Sequence, residues 1–174
     1  RSTASSLIPY SEVNPCCLKD PLSPNISANK AGVSLSAIEL QQSFRPFLSR
    51  KADILLIEGC GGWFCPISNN ETMADFHKRL GFPLILVVGL RLGCLNHALL
   101  TLSAIKKSGL PCMGWVANVI DPEMLAIEEN IETLQQFFGV PPLAVLQYQN
   151  RSLQKYAQQQ LAPFAQHILE PVEV

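Results

Sequence analysis

The sequence predicts an α/β fold, a parallel sheet with helices on both faces, and two observations carry that expectation. Short, nearly continuous apolar runs alternate with longer segments in which apolar residues recur at helical spacing. Several of the apolar runs end abruptly in glycine, an acid or an amide, as buried strands do where they open into loops. At 174 residues, 48% hydrophobic and 16% charged, the chain is long enough to bury a sizeable core, and one domain over 1–174 is expected.

Residues 1–33 are rich in Ser, Pro and Asn, with Pro9, Pro15, Pro21 and Pro24 breaking any period, which predicts an irregular loop segment. From Ser34, a plausible N-cap, Leu35, Ile38, Leu40, Phe44, Phe47 and Leu48 follow mostly helical spacing, predicting a helix to about Arg50. Asp53 to Glu58 reads as a buried parallel strand running into the glycines Gly59, Gly61 and Gly62. Glu71 to Leu80 predicts a helix capped by Gly81, and Pro83 to Gly89 a second strand. Then come a helix from Leu95 to Lys107 closed by Gly109, a strand from Cys112 to Asn118, and a helix from Pro122 to Phe138. A short strand from Leu143 to Leu146 and a terminal helix from Leu153 to Ile168, interrupted near Pro163, complete the order.

Composition narrows the function. A formal net charge of -1, with no run of Lys or Arg, offers no broad basic field for nucleic acid or an anionic membrane. The longest apolar run, Phe82 to Leu90, is too short to span a bilayer, and the first residues have no apolar signal core. A cytoplasmic protein acting on small molecules is the expectation. Six cysteines scattered through a chain with a large apolar core suggest reduced thiols. The pairs Cys60 with Cys65 and Cys94 with His97 lack the second close pair that a structural zinc site needs.

In such a sheet, ligands sit beyond the C-terminal ends of the strands. Three predicted strand ends carry groups suited to that place: Glu58 to Gly62, Gly89 to Asn96, and Asn118. Glu58 could hold Mg²⁺ through its hard carboxylate oxygen, or be a solvated strand-end acid. The glycines after it could present amides to a phosphate, or simply make a tight turn. Trp63 and Phe64 could line the pocket, but as bulky aromatics they are expected to pack under that loop. The amides of Gly93 to Asn96 open a helix and suit a carboxylate or phosphate. Asn118 could read a base edge or cap a loop. His97, in the first turn, reads as packed or surface rather than as a base, and His77 and His167 as surface residues.

Four blocks, in order, resemble dethiobiotin synthetase. They are Ile57-Glu-Gly-Cys-Gly-Gly-Trp-Phe-Cys-Pro66, Glu71-Thr-Met-Ala-Asp75, Pro83 through Ala98, and Gly114-Trp-Val-Ala-Asn118. Val13-Asn14-Pro15 and Pro21-Leu22-Ser23-Pro24 extend the likeness, which covers about Val13 to Gln149. The resemblance implies a phosphate-loop NTPase-like fold and an ATP- and Mg²⁺-dependent ligase of biotin biosynthesis. Such an enzyme joins CO₂ to diaminopelargonate as a carbamate, phosphorylates the carbamate, and lets the second amine displace phosphate to close a cyclic urea. It implies that Glu58 binds Mg²⁺, that Glu58, Gly59, Cys60 and Gly61 lie along the nucleotide phosphates, and that Asn118, Val119, Gln147, Tyr148 and Gln149 stand near the adenine. It further implies that Ser23 belongs to the substrate loop, and that the amides of Gly93, Cys94, Leu95 and Asn96 hold the substrate carboxylate across a homodimer interface.

The sequence departs from the family's pattern at Cys60, where Ala is usual, at Val119, where an acid is common, and at Gln147, where Pro is usual. No Gly-x-x-x-x-Gly-Lys-Ser/Thr occurs. The family's phosphate loop, its first strand and its catalytic lysine are therefore expected to lie in an N-terminal part outside these residues, and no catalytic residue is assigned here. The alternative is a noncatalytic binding or regulatory module of the same fold.

Overall fold

A computed structural model describes residues 8–48, 54–148, 156, 158–163 and 165. The chain divides into two compact units, Arg1–Gly81 and Phe82–Val174.

The described regular elements of the first unit are helices, joined by loops and one isolated bridge between Pro66 and Thr72. The stretch expected to be irregular carries two short helices, α1 (Tyr10–Val13) and α2 (Pro24–Ala31). Pro24 opens α2, where its missing N–H costs nothing, and Gly32 closes it in the left-handed conformation. The single helix expected from Ser34 is instead two, α3 (Ala37–Ser43) and α4 (Arg45–Leu48). The N-cap is Ser36, because Ser36 has Glu39 three residues on: the Ser36 hydroxyl accepts from the Glu39 N–H at 3.3 Å and donates to its carboxylate at 2.7 Å. Pro46, lacking an N–H, cannot extend α3 but is tolerated near the start of α4.

The run expected as the first buried strand is not one. Residues 54–59 have no regular structure, and Ile54 and Leu56 are 46% and 82% exposed. An apolar run becomes a strand only when its backbone groups join a ladder, and no described strand pairs with it. Ile57 alone of this run packs on the unit's core of Ala37, Ile67, Met73 and Phe76. Helix α5 (Met73–Leu80) supplies two of those residues and ends in the expected cap, Gly81.

The second unit is a three-stranded parallel sheet in the order β1 (Leu84–Leu90), β2 (Cys112–Val119), β3 (Ala144–Leu146). Two crossovers step the same way across it, α6 (Cys94–Lys107) and α7 (Ile127–Phe138), which places both helices on one face. That face carries Val88, Leu90, Trp115, Ala117 and Val119, packed against Cys94, Ala98 and Leu134. Val87, on the opposite face, is 60% exposed. Trp115 is fully buried, its indole N–H donates to the Val140 carbonyl at 3.1 Å, and Phe138 meets its ring edge-on.

Helix α7 starts later than the expected Pro122. The Asp121 carboxylate accepts from the Glu123 N–H at 3.0 Å, a local bond that favours a turn over a helix start. Of the expected terminal helix, residues 156, 158–163 and 165 are helical; the rest of the range from Leu153 to Ile168, like the start of the run at Asp53, lies outside the described residues.

Candidate active site

Of the three strand ends the sequence points to, two lie side by side in the second unit, at Gly89 and Asn118. Gly89 pairs in register with Asn118, and Asn118 with Leu146, so a Gly–Asn–Leu row crosses the C-terminal edge of the sheet. Gln147 and Tyr148 continue directly from that row and are exposed, while the Asn118 side chain is half-buried. The Gln147 N–H donates to the Tyr156 hydroxyl at 3.0 Å, which anchors the segment. Val119 is different: its side chain belongs to the sheet core, leaving only its backbone for a ligand. Gln149 lies outside the described residues.

Beyond β1, Gly93 takes a positive φ of 91° and starts α6. The Cys94 amide is already used by the Arg91 carbonyl at 3.0 Å, and its side chain is buried. The amides of Leu95 and Asn96 have no intrachain acceptor among the described residues, so they are the donors this helix start offers an anion. His97 is exposed, its amide bonded to the Gly93 carbonyl.

In the first unit, Glu58 is exposed and leads into Gly59 and Cys60. Gly61 and Gly62 have φ of 69° and 102°, a conformation that only glycine adopts without strain, and the turn is closed by the Cys65 N–H to the Gly62 carbonyl at 3.1 Å. A side chain on Gly61 would collide with the Cys65 sulfur. Burial against its surroundings, and then the neighbouring Cys65, push the Cys60 thiol above its ordinary value. Trp63 packs under this loop as expected; Phe64 does not and is 62% exposed.

Ser23 caps α2 in the same unit. Its hydroxyl donates to the Asn25 side chain at 2.7 Å, and its carbonyl accepts from the amides of Ile26 and Ser27.

His77 was missed as more than a surface residue. It is half-buried, stacked on Trp63, and a Cβ added to Gly59 would sit 3.2 Å from its Nε2. Burial holds its imidazole below the ordinary histidine value. The signal was in the spacing: Met73, Phe76, His77 and Leu80 form one face of α5. Glu71 also escaped notice; its carboxylate accepts from the Ala37 N–H at 3.0 Å and holds the start of α3.

A parallel sheet with crossover helices, and with glycines, an amide side chain and a helix start beyond its strand ends, defines an α/β protein of the phosphate-loop NTPase type. A family model described as AAA domain matches residues 2–155, and the chain belongs to that family. Among curated proteins it is similar to the ATP-dependent dethiobiotin synthetase BioD of Cellvibrio japonicus, 48% identical over 145 residues, covering 82% of this chain and 63% of that protein. The protein of the same name from Pseudomonas paraeruginosa is 44% identical over 139 residues, 80% of this chain and 61% of that one. A third, from Aromatoleum aromaticum, is 44% identical over 144 residues, 82% and 64%. The resemblance read in the sequence is thereby borne out, and the chain spans between 61% and 64% of the length of these relatives.

Proposed function

We propose that this chain is part of a dethiobiotin synthetase and supplies the metal, purine and substrate-carboxylate ends of its site, with 1–174 forming part of one catalytic domain. The observation that carries the reading is the 44–48% identity to proteins of that name over at least 80% of the chain. The reaction class is ATP-dependent ring closure of a diamine with CO₂ to a cyclic urea, in biotin biosynthesis.

The residues fit the groups this reaction needs. Mg²⁺ retains most of its water and takes one or two carboxylates, so a single exposed acid such as Glu58 suits it, and no cluster of three or more His, Cys, Asp or Glu among the described residues competes for it. When bound, the metal would neutralise phosphate charge. Gly59, Cys60 and Gly61 supply backbone amides for the phosphates of ATP. Asn118, with Gln147 and Tyr148 beside it, supplies an amide and an aromatic face for the adenine, Gln149 follows in sequence, and Val119 contributes backbone alone.

The substrate end rests on Ser23 and on the segment Gly93, Cys94, Leu95 and Asn96, whose two unpaired amides suit the carboxylate of diaminopelargonate. In this reading the pocket is completed across a homodimer in the cytoplasm. The exposure of Leu92, at 95%, beside that helix start supports a covered surface there. No described helix is long and apolar enough to cross a membrane.

Phosphoryl transfer also needs a Lys and a glycine-rich cradle around the β- and γ-phosphates, and these 174 residues contain no such motif. The reading therefore expects no turnover from these residues alone. Phosphate release dependent on ATP, CO₂ and diaminopelargonate should appear when the chain is joined to a phosphate-loop segment of a relative. Turnover by a protein with the mass of these residues alone would overturn the division of labour; no turnover after joining would overturn the assignment. Sedimentation of the joined protein as a monomer at high concentration would remove the dimer.

A further inference from the structure

Backbone conformation does not explain the glycine at position 59: unlike Gly61 and Gly62, Gly59 has no positive φ. Space explains it. A Cβ there would stand 3.2 Å from His77 Nε2 and 3.3 Å from Met73 Cε, closer than side chains ordinarily pack, so the chain passes α5 where a bare α-carbon is needed. The two neighbours differ in stiffness. Met73 Cε ends a flexible side chain, whereas the His77 ring is stacked on the buried Trp63 and meets Phe76 of the core at 5.2 Å. Helix α5 is itself pinned, because the Met73 N–H donates to the Cys65 carbonyl at 2.8 Å and Thr72 and Asp75 close its first turn. The loop is thus fastened at Ile57 by packing and at Cys65 by hydrogen bonds. Among the described residues no backbone-to-backbone hydrogen bond is made by residues 58–61, and His77 is the side chain that neighbours both Gly59 and Trp63.

We propose that His77 is a positioning residue whose ring, held by Trp63, sets how far the stretch from Glu58 to Gly61 stands from α5. The role rests on the reading of that stretch as the metal and phosphate loop. An exposed stretch without backbone bonds of its own samples many positions, and the freedom it loses on binding weakens its hold on a phosphate. A stiff ring set against the bare Gly59 removes part of that freedom beforehand, so Glu58 and the amides of Gly59, Cys60 and Gly61 meet the nucleotide already in place. The ring acts through its shape. It moves no proton and makes no bond to the ligand; what the loop requires is a flat side chain at 77 and none at 59.

Nuclear magnetic resonance of the full chain tests the contact without any turnover. Cross-relaxation should link the Gly59 α-protons to the His77 ring protons, and backbone order parameters of Gly59 to Gly61 should lie above about 0.7, nearer the rigid than the flexible limit. In His77→Ala they should fall below about 0.6 while those of α5 hold, and His77→Phe, which keeps a flat ring, should stay above about 0.7. In the chain joined to a phosphate-loop segment, His77→Ala should raise KM for Mg²⁺-ATP about tenfold, with kcat and KM for diaminopelargonate within about twofold, and His77→Phe should restore it. Gly59→Ala reaches the same contact without altering α5: it should raise the same KM, yet add less than about twofold in a His77→Ala background. Loop order unchanged by His77→Ala, or effects of the two substitutions that simply multiply, would overturn the role. So would a fall in kcat with both KM values unchanged, which is what a smaller folded fraction gives. No turnover by the joined parent would remove the nucleotide reading instead, and the order parameters would still decide whether His77 holds the loop.

Discussion

The His77 imidazole lies stacked on the Trp63 indole, their ring centroids 5.9 Å apart and their planes 11° from parallel. Burial there favours the neutral ring, so the folded-state value is lowered from the ordinary 6.5. Between those two values the unfolded chain binds more protons than the folded one. The contribution is fully present above the ordinary value and is lost as pH falls through the lowered one. Urea midpoints of this unit should therefore drop over the mildly acid range. His77→Phe, which keeps the stack without the charge, should flatten that part of the profile.

The start of α5 carries a capping box. The Asp75 carboxylate accepts from both the N–H and the hydroxyl of Thr72, each at 2.9 Å. Thr72→Ala removes one of these partners and should cost about 1 kcal/mol in denaturant unfolding. The Thr72 N–H, most of all, holds the Asp75 carboxyl below its ordinary value of 3.8. Its stabilisation is present above that value and lost as pH falls through the lowered one. Asp75→Asn should remove this acid-side dependence.

Glu58 bears on the proposed chemistry. In a protein completed with a phosphate-loop segment, Glu58→Gln should lower Mg²⁺-dependent kcat/KM by roughly a hundredfold, about 2.7 kcal/mol of transition-state stabilisation. The circular dichroism spectrum should not change, because the side chain is exposed. Undiminished activity would take Glu58 out of the metal role.

Gly114 sits in β2 where a Cβ would come within 2.8 Å of Leu143 Cδ1 and 2.9 Å of its Cγ. Gly114→Ala should destabilise the sheet unit by about 1–3 kcal/mol through overpacking. Adding Leu143→Ala should recover part of the loss, and a double-mutant cycle in urea measures the coupling.

Strands β1, β2 and β3 and the helices between them were legible because each has one dominant signal, an unbroken apolar run or a helical period. The boundaries moved where a local hydrogen bond competed with that signal, as at Ser36 with Glu39 and Asp121 with Glu123. The run from Asp53 to Glu58 misled because apolarity is necessary for a buried strand but pairing makes one, and pairing is not a property of the run itself. At the site, Asn118 beside Gly89 followed from strand order alone. That Val119 turns into the core follows from alternation along β2, a consequence available in the sequence but masked by the family likeness. The nearness of His77 to Gly59, and of Cys65 to Gly61, depends on how a glycine turn folds back, which spacing cannot specify.

The sequence has only two tryptophans, and they fall one to each unit: Trp63 under the loop of the first, Trp115 in the sheet of the second. Each unit therefore carries its own native fluorophore. Trp63→Phe leaves emission that reports the sheet alone, and Trp115→Phe leaves emission from the unit that holds Glu58. In the second variant the indole lies against an imidazole whose protonation quenches it, so its brightness follows the charge on His77. Melting or ligation can then be assigned to one half of the chain by its own light, without an added label.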